Sequence, residues 1–309
     1  MKKRTFHFLS ADKQTQIHAV KWEPGQGEVK GILQISHGMV EYVERYAEFA
    51  EYMVGKGFMV VGNDHLGHGK SVESEECWGY FAPKRGSDIV VEDLNHLRKI
   101  IQKECPGVPY FMLGHSMGSF LLRKYLSKYG SGLQGAVIMG TGSQPNAALA
   151  LGKLICRSLA LVRGWKHKSK LVESVAMGSY NKKFRGEGAA NSWLTKDKEI
   201  VTAYNSEPRC CFKFTINGYY TLFDTIHYIN QPANIKRVPK NLPLLFVAGE
   251  DDPVGNYGAG VKSACESYRR AGVRDITCRL YPGDRHEILN ELDRDKVYKD
   301  IFKWIKAKM

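Results

Sequence analysis

Short apolar runs alternate with segments of helical period along most of this chain, and few architectures accept that alternation. GILQIS (31–36), FMVVGN (58–63), PYFMLG (109–114), LQGAVIMG (133–140), LPLLFVAG (242–249) and ITCRLYPG (276–283) read as strands. Between them, 45–57 places Tyr46, Phe49, Ala50 and Met53 at helical spacing and stops at Gly55 and Gly57. Residues 87–104 put Val90, Leu94, Leu97 and Ile101 on one side, and further helices are expected over 119–130, 259–271 and 293–308. TFHFLS (5–10) and QIHAVKW (16–22) alternate as an opening antiparallel pair. The pattern predicts an α/β fold, a mostly parallel central sheet with helices on both faces.

The alternation breaks between about residues 143 and 240, which read as helices without strands. The expected division is a core over 1–142 and 241–309 with a helical lid or cap over 143–240. That position places the cap over the carboxyl edge of the sheet, where open α/β sheets bind ligands.

Gly114-His115-Ser116-Met117-Gly118 is a G-x-S-x-G sequence at the junction of the strand 109–114 and the next helix. A sharp turn there lifts a serine hydroxyl above the sheet, and the flanking glycines remove side chains that would collide with neighbours. Ser116 is the expected nucleophile. The amide of Met117, at the helix start, is an expected oxyanion donor. The second donor is expected from the His37-Gly38-Met39 turn after strand 31–36, through the Met39 amide. His37, Gly38 and His115 are expected to touch the substrate.

A serine hydroxyl needs a base to take its proton. Among ten histidines, His286 follows the last strand in YPGDRHE and so falls at the same sheet edge. His37, His65, His68 and His115 sit within turn motifs. The acid that orients the base is expected after LPLLFVAG, in Glu250-Asp251-Asp252-Pro253. Asp252 is the choice because Pro253 fits a turn that fixes it. Glu250, Asp251 and, further off, Asp284 are the alternatives. Ser116, Asp252 and His286 then follow the chain order Ser…Asp…His.

Composition narrows the remaining classes. At 309 residues, with 43% hydrophobic and 25% charged residues, the chain can bury a large core. Its net charge of +13 is spread along the chain without a nucleic-acid motif, so no nucleic-acid partner is expected. Seven scattered cysteines show no zinc spacing and suit reduced thiols, and neither metal nor organic cofactor is expected. The basic N-terminus lacks the apolar stretch of a signal peptide, so a cytoplasmic location is expected.

Taken together, these segments resemble the monoacylglycerol lipase and lysophospholipase branch of the α/β-hydrolases, also grouped with serine aminopeptidases. The pattern H-G-x-x-E-H-x-x-R-Y is met by His37, Gly38, Glu41, Arg45 and Tyr46, with Tyr42 where histidine is usual. Asp64-His65-Leu66-Gly67-His68-Gly69-Lys70-Ser71 resembles the family's D-H-x-G-H-G-x-S turn, and Gly249-Glu250-Asp251-Asp252 and His286-Glu287 resemble its acid and histidine loops. The resemblance supports Asp252 over Asp251. It implies the α/β-hydrolase fold and a serine esterase acting through an acyl-enzyme on single-chain lipid esters such as monoacylglycerols or lysophospholipids. Peptidase or amidase action, acyl transfer to an alcohol, and non-catalytic ligand binding on the same scaffold are the other readings. In residues 147–166 (AALALGKLICRSLALVRGWK), apolar residues mixed with Lys and Arg allow the lid to touch a membrane surface.

Overall fold

A computed structural model describes residues 1–309. Eight strands form one sheet: β1 (Lys2–Leu9), β2 (Gln16–Glu23), β3 (Gly31–Ser36), β4 (Phe58–Asn63), β5 (Tyr110–His115), β6 (Gly135–Met139), β7 (Leu244–Gly249) and β8 (Ile276–Tyr281). Their spatial order is β1-β2-β4-β3-β5-β6-β7-β8. Only the β1–β2 and β2–β4 pairs are antiparallel. From β4 to β8 every pairing is parallel.

Strands β3, β4, β5, β6 and β7 are buried along their whole length. That explains why they read as continuous apolar runs rather than as alternating ones. Alternate residues still serve opposite faces. Ile32, Tyr110, Met112 and Phe246 pack with Leu94, Leu97, Leu122 and Leu126. These come from α2 (Gly86–Glu104) and α3 (Met117–Tyr129). Leu33, Phe111, Leu113 and Val247 pack on the other face with Phe49, Met53, Ile301 and Ile305, from α1 (Ala47–Gly55) and α10 (Arg294–Lys306). A short 3-10 turn, Val43–Tyr46, leads into α1, so the expected 45–57 helix is two elements. Helix α3 begins at Met117, which places that residue at the head of the helix as the motif requires.

Between β6 and β7 the chain is helical: α4 (Asn146–Arg163), α5 (Lys170–Met177), α6 (Lys198–Ser206), α7 (Ile216–Asn230) and α8 (Pro232–Ile235). Side-chain caps start three of these helices. Ser169 accepts from the Val172 amide, Asp197 from those of Glu199 and Ile200, and Thr215 from that of Gly218. Helix α4 lies along α7, with Lys153 paired to Asp224 at 3.0 Å. Helix α9 (Ala259–Arg270) returns the chain to β8. Strand order turns in opposite directions on either side of β3 and β5, so a crevice opens at their carboxyl ends.

Candidate active site

Ser116 stands in that crevice, between the last residue of β5 and the first of α3. Its backbone is at φ 53°, ψ −121°, a region an L-residue occupies only when its surroundings hold it there. Those surroundings are specific. The Ser116 amide donates to the Met139 carbonyl at 3.0 Å, and the Ser116 carbonyl accepts the Ser119 hydroxyl at 2.6 Å. A Cβ on Gly118 would run into the carbonyls of Ser36 and His37, so only glycine lets α3 approach β3. The Met117 amide, first in its helix, has no intrahelical acceptor.

On the β8 side, the imidazole of His286 is buried and its Nδ1 lies 2.9 Å from Asp252 Oδ1. The same carboxylate oxygen accepts the Val254 amide at 2.8 Å, a turn that Pro253 allows. Of the alternatives, Glu250 is exposed and the other two are engaged elsewhere. Asp251 pairs with Lys183, and Asp284 with Lys196 at 2.7 Å. Ser116 and His286 both line one cavity of about 770 Å3, together with Gly38, Met39, His115 and Met117. Most of the cavity wall is apolar, with Phe120, Leu149, Met177, Leu222, Phe223 and Ile226 among its residues.

The Gly38 turn is held from below by Glu41. Its Oε1 accepts the Gly38 amide and the Tyr46 hydroxyl, the latter at 2.8 Å, and its Oε2 accepts from Arg45 at 2.8 Å. Arg45 in turn makes a two-pronged contact with Glu287, both bonds 2.7 Å. Burial alone would raise the Glu41 carboxyl; the bond from His115 and the charge of Arg45 overcome it and hold the group well below the usual carboxylate range. A Cβ on Gly38 would stand 2.6 Å from Glu41 Oε1 and 3.2 Å from the Ser116 Cβ, which is why a glycine borders Ser116. Val40, at φ 55°, is strained for a β-branched residue, and its carbonyl accepts the Tyr204 hydroxyl at 2.9 Å.

One expected substrate contact needs correction. His37 is fully buried, does not line the cavity, and its Nε2 accepts the His65 amide at 2.9 Å. It stacks on His65 (centroids 4.1 Å apart), and burial lowers both rings and takes His68 down to about 3. These neutral histidines floor the site. His115 borders the cavity, but both its ring nitrogens are engaged inside the protein, at 3.2 Å from Glu41 Oε1 and from the His286 carbonyl.

Other residues at the site escaped the sequence reading. Trp193 packs against His286 with ring planes tilted and centroids 4.9 Å apart. The stretch around it pairs with the histidine loop: Glu287 donates to the Leu194 carbonyl at 2.7 Å and Arg285 to the Ser192 carbonyl at 2.6 Å. No periodicity or motif marks Trp193. Glu287 was visible as the neighbour of His286, though not as the partner of Arg45. No cluster of three or more His, Cys, Asp or Glu side chains is arranged to hold a metal ion.

A serine in a strained strand–helix turn, beside a buried His–Asp pair and on a mostly parallel sheet, defines an α/β-hydrolase. The sequence profile of the serine aminopeptidase S33 family matches residues 27–293, and the chain belongs to that family. The human monoglyceride lipase is 27% identical over 305 residues, covering 97% of this chain and 89% of its own. A monoacylglycerol lipase from Mycolicibacterium smegmatis is 26% identical over 300 residues, 92% of this chain and 90% of its own. Among solved structures, a thermostable carboxyl esterase from Bacillus coagulans superposes with a TM-score of 0.91 at 30% identity, over 99% of both chains.

Proposed function

We propose that this chain is a serine carboxylic-ester hydrolase that cleaves monoacylglycerols or similar single-chain lipid esters, with Ser116, His286 and Asp252 as its triad. The observation that carries the reading is the buried His286–Asp252 pair facing the same apolar cavity as the strained Ser116. Ser116 Oγ attacks the ester carbonyl while His286 takes its proton, and Asp252 fixes the imidazole and offsets its charge. The oxyanion is met by the Met117 amide and by that of Met39, since the preceding Gly38 amide is already given to Glu41. His286 then protonates the leaving alcohol and activates the water that releases the acid.

The acids that border the cavity favour an ester over a peptide amine. Glu41 and Glu287 are bound to Arg45, and Glu173 to Lys213 at 3.0 Å. None is left to meet a substrate ammonium. The apolar wall, drawn largely from α4, α5 and α7, suits one acyl chain, and the relatives named for monoacylglycerols support that class.

Residues 143–240 act as the lid of this pocket. Helix α4 exposes Leu151, Leu154, Leu161 and Val162, the last two at 89% and 80%, beside exposed Arg157 and with exposed Arg163 at its end. With Lys166, Lys168 and Lys170 beyond its end, that surface suits contact with an anionic lipid layer. No helix is long and apolar enough to cross a membrane. The test is hydrolysis of a panel of monoacylglycerols, lysophospholipids, short nitrophenyl esters and an aminoacyl amide, with Ser116→Ala as control. Turnover that peaks on long single-chain esters and vanishes in the variant supports the reading; amide cleavage alone, or no turnover, defeats it.

A further inference from the structure

Behind Ser116, four ionisable side chains share one nearly dry site: Glu41, Glu287, Arg45 and His115. With both carboxylates ionised and one guanidinium, three of them sum to one uncompensated negative charge. A buried net charge is strongly disfavoured unless a partner neutralises it. The fourth group is His115, and its geometry decides its state.

Both ring nitrogens of His115 face oxygens that can only accept. Nδ1 is 3.2 Å from Glu41 Oε1, which already takes the Gly38 amide and the Tyr46 hydroxyl. Nε2 is 3.2 Å from the backbone carbonyl of His286. A neutral imidazole has one N–H, so either tautomer would press a nitrogen lone pair against an oxygen. Only the doubly protonated ring satisfies both contacts, and it also brings the sum of charges to zero.

We infer that His115 is held as an imidazolium cation and is a positioning residue, clamping the Gly38–Glu41 loop to the His286–Glu287 loop across the back of the nucleophile. This deepens the triad reading and rests on it for its effect on rate. Burial by itself would lower the ring's pKa; the bond to Glu41 and the charges of Glu41 and Glu287 reverse that, and the net direction is upward. The charged or titratable groups around the ring are Glu41, Arg45 and Tyr46 from the first loop, with His37 beside Glu41, then His286 and Glu287 from the second, with Asp252 bound to the far side of His286, and Tyr298 across a small adjoining void. Since the folded pKa is raised, the clamp is present at lower pH and is lost as pH rises through that value.

The decisive measurement is ring 1H–15N correlation spectroscopy on the full chain labelled with 15N-histidine at pH 7. The His115 signals are assigned by their disappearance in His115→Gln. Two protonated nitrogens on that ring support the inference; one pyridine-type nitrogen overturns it. Should His115→Gln not fold, neutron diffraction from deuterated crystals reads the same hydrogens without a variant, and a single ring hydrogen would again overturn the assignment. Glu41→Gln tests the consequence. It should strip the second proton from His115 and lower kcat about 10- to 100-fold with KM within about threefold. A retained imidazolium with the same loss of rate would break the link to positioning. Failure of Ser116 to react with a fluorophosphonate in the unaltered protein would instead sink the triad reading and leave the His115 spectrum to stand by itself.

Discussion

The backbone at Ser116 should carry measurable strain, and replacing the serine by alanine and by glycine isolates it. At φ 53°, ψ −121° the cost of a Cβ is about 1–3 kcal/mol. Both variants lose the hydroxyl, so their difference reports the Cβ alone. Glycine recovers the strain but gives back about 0.5–1 kcal/mol in unfolded-chain entropy. At the middle of these ranges the glycine variant should be the more stable of the two by about 1 kcal/mol. For a 309-residue chain the unfolding entropy is roughly 0.65 kcal/mol/K, so its Tm should lie about 1–3 °C above that of the alanine variant. Urea unfolding at 25 °C, followed by tryptophan fluorescence, gives the difference without heating. Neither variant should hydrolyse esters. Equal stability, or alanine the more stable, would refute the claim that the turn holds Ser116 against its own conformational preference.

Three other outcomes follow from the site and its surroundings. Asp252→Asn leaves the shape of the His286 loop but not its imidazole tautomer, so kcat should fall on the order of 10³–10⁴-fold, as steady-state kinetics would record; a loss under tenfold would argue for a different orienting acid. Asp93, buried on α2 where it accepts the Ser10 hydroxyl and the Ala11 amide, has its carboxyl pushed up to about 7, chiefly by burial. The folded form then holds a proton that the unfolded chain releases near pH 4, so stability falls as pH rises from about 4 to 7. Asp93→Asn should remove that slope, gaining up to about 4 kcal/mol over the protein at pH 8 relative to pH 4; a gap that stays constant in urea titrations across this range would contradict the assignment. On the lid, Leu161→Glu with Val162→Glu should weaken flotation with anionic vesicles while leaving hydrolysis of a water-soluble nitrophenyl ester within about twofold, because both side chains are exposed and lie outside the cavity wall. Unchanged flotation would place lipid contact elsewhere.

Which parts of this molecule were legible in the sequence depends on the range of the forces that shape them. The parallel strands were readable because burial on both faces leaves an unbroken apolar run, as in LLFVAG of β7. The Ser116 turn was readable because steric demands there are local: Gly118 is required by carbonyls that any strand beside β5 would present. The start of α3 follows from the same turn. Gly118 disfavours a helix by propensity, and the helix starts at Met117 because the turn at Ser116 imposes it.

Contacts that join distant loops left no comparable signal. The motif residues Glu41, Arg45 and Tyr46 were recognisable as a pattern, yet the pattern does not say what they hold. Their partner Glu287 lies 242 positions after Arg45, and only the fold brings the two within 2.7 Å. The misreading of His37, and the unforeseen inner contacts of His115, have the same origin. Sequence places both beside the nucleophile, and adjacency suggested substrate contact, whereas burial turned each ring inward to meet a backbone group or a carboxylate. Trp193 is the extreme case, since a single aromatic in a turn between helices is indistinguishable from ordinary core until the histidine loop is seen to pair with its backbone. The chemistry of this site is thus written in short motifs, while the rigidity that makes the chemistry efficient comes from polar pairings across the sheet edge. A variant such as Glu41→Gln, which changes no reacting atom, is for that reason a sharper probe of the design than another substitution in the triad.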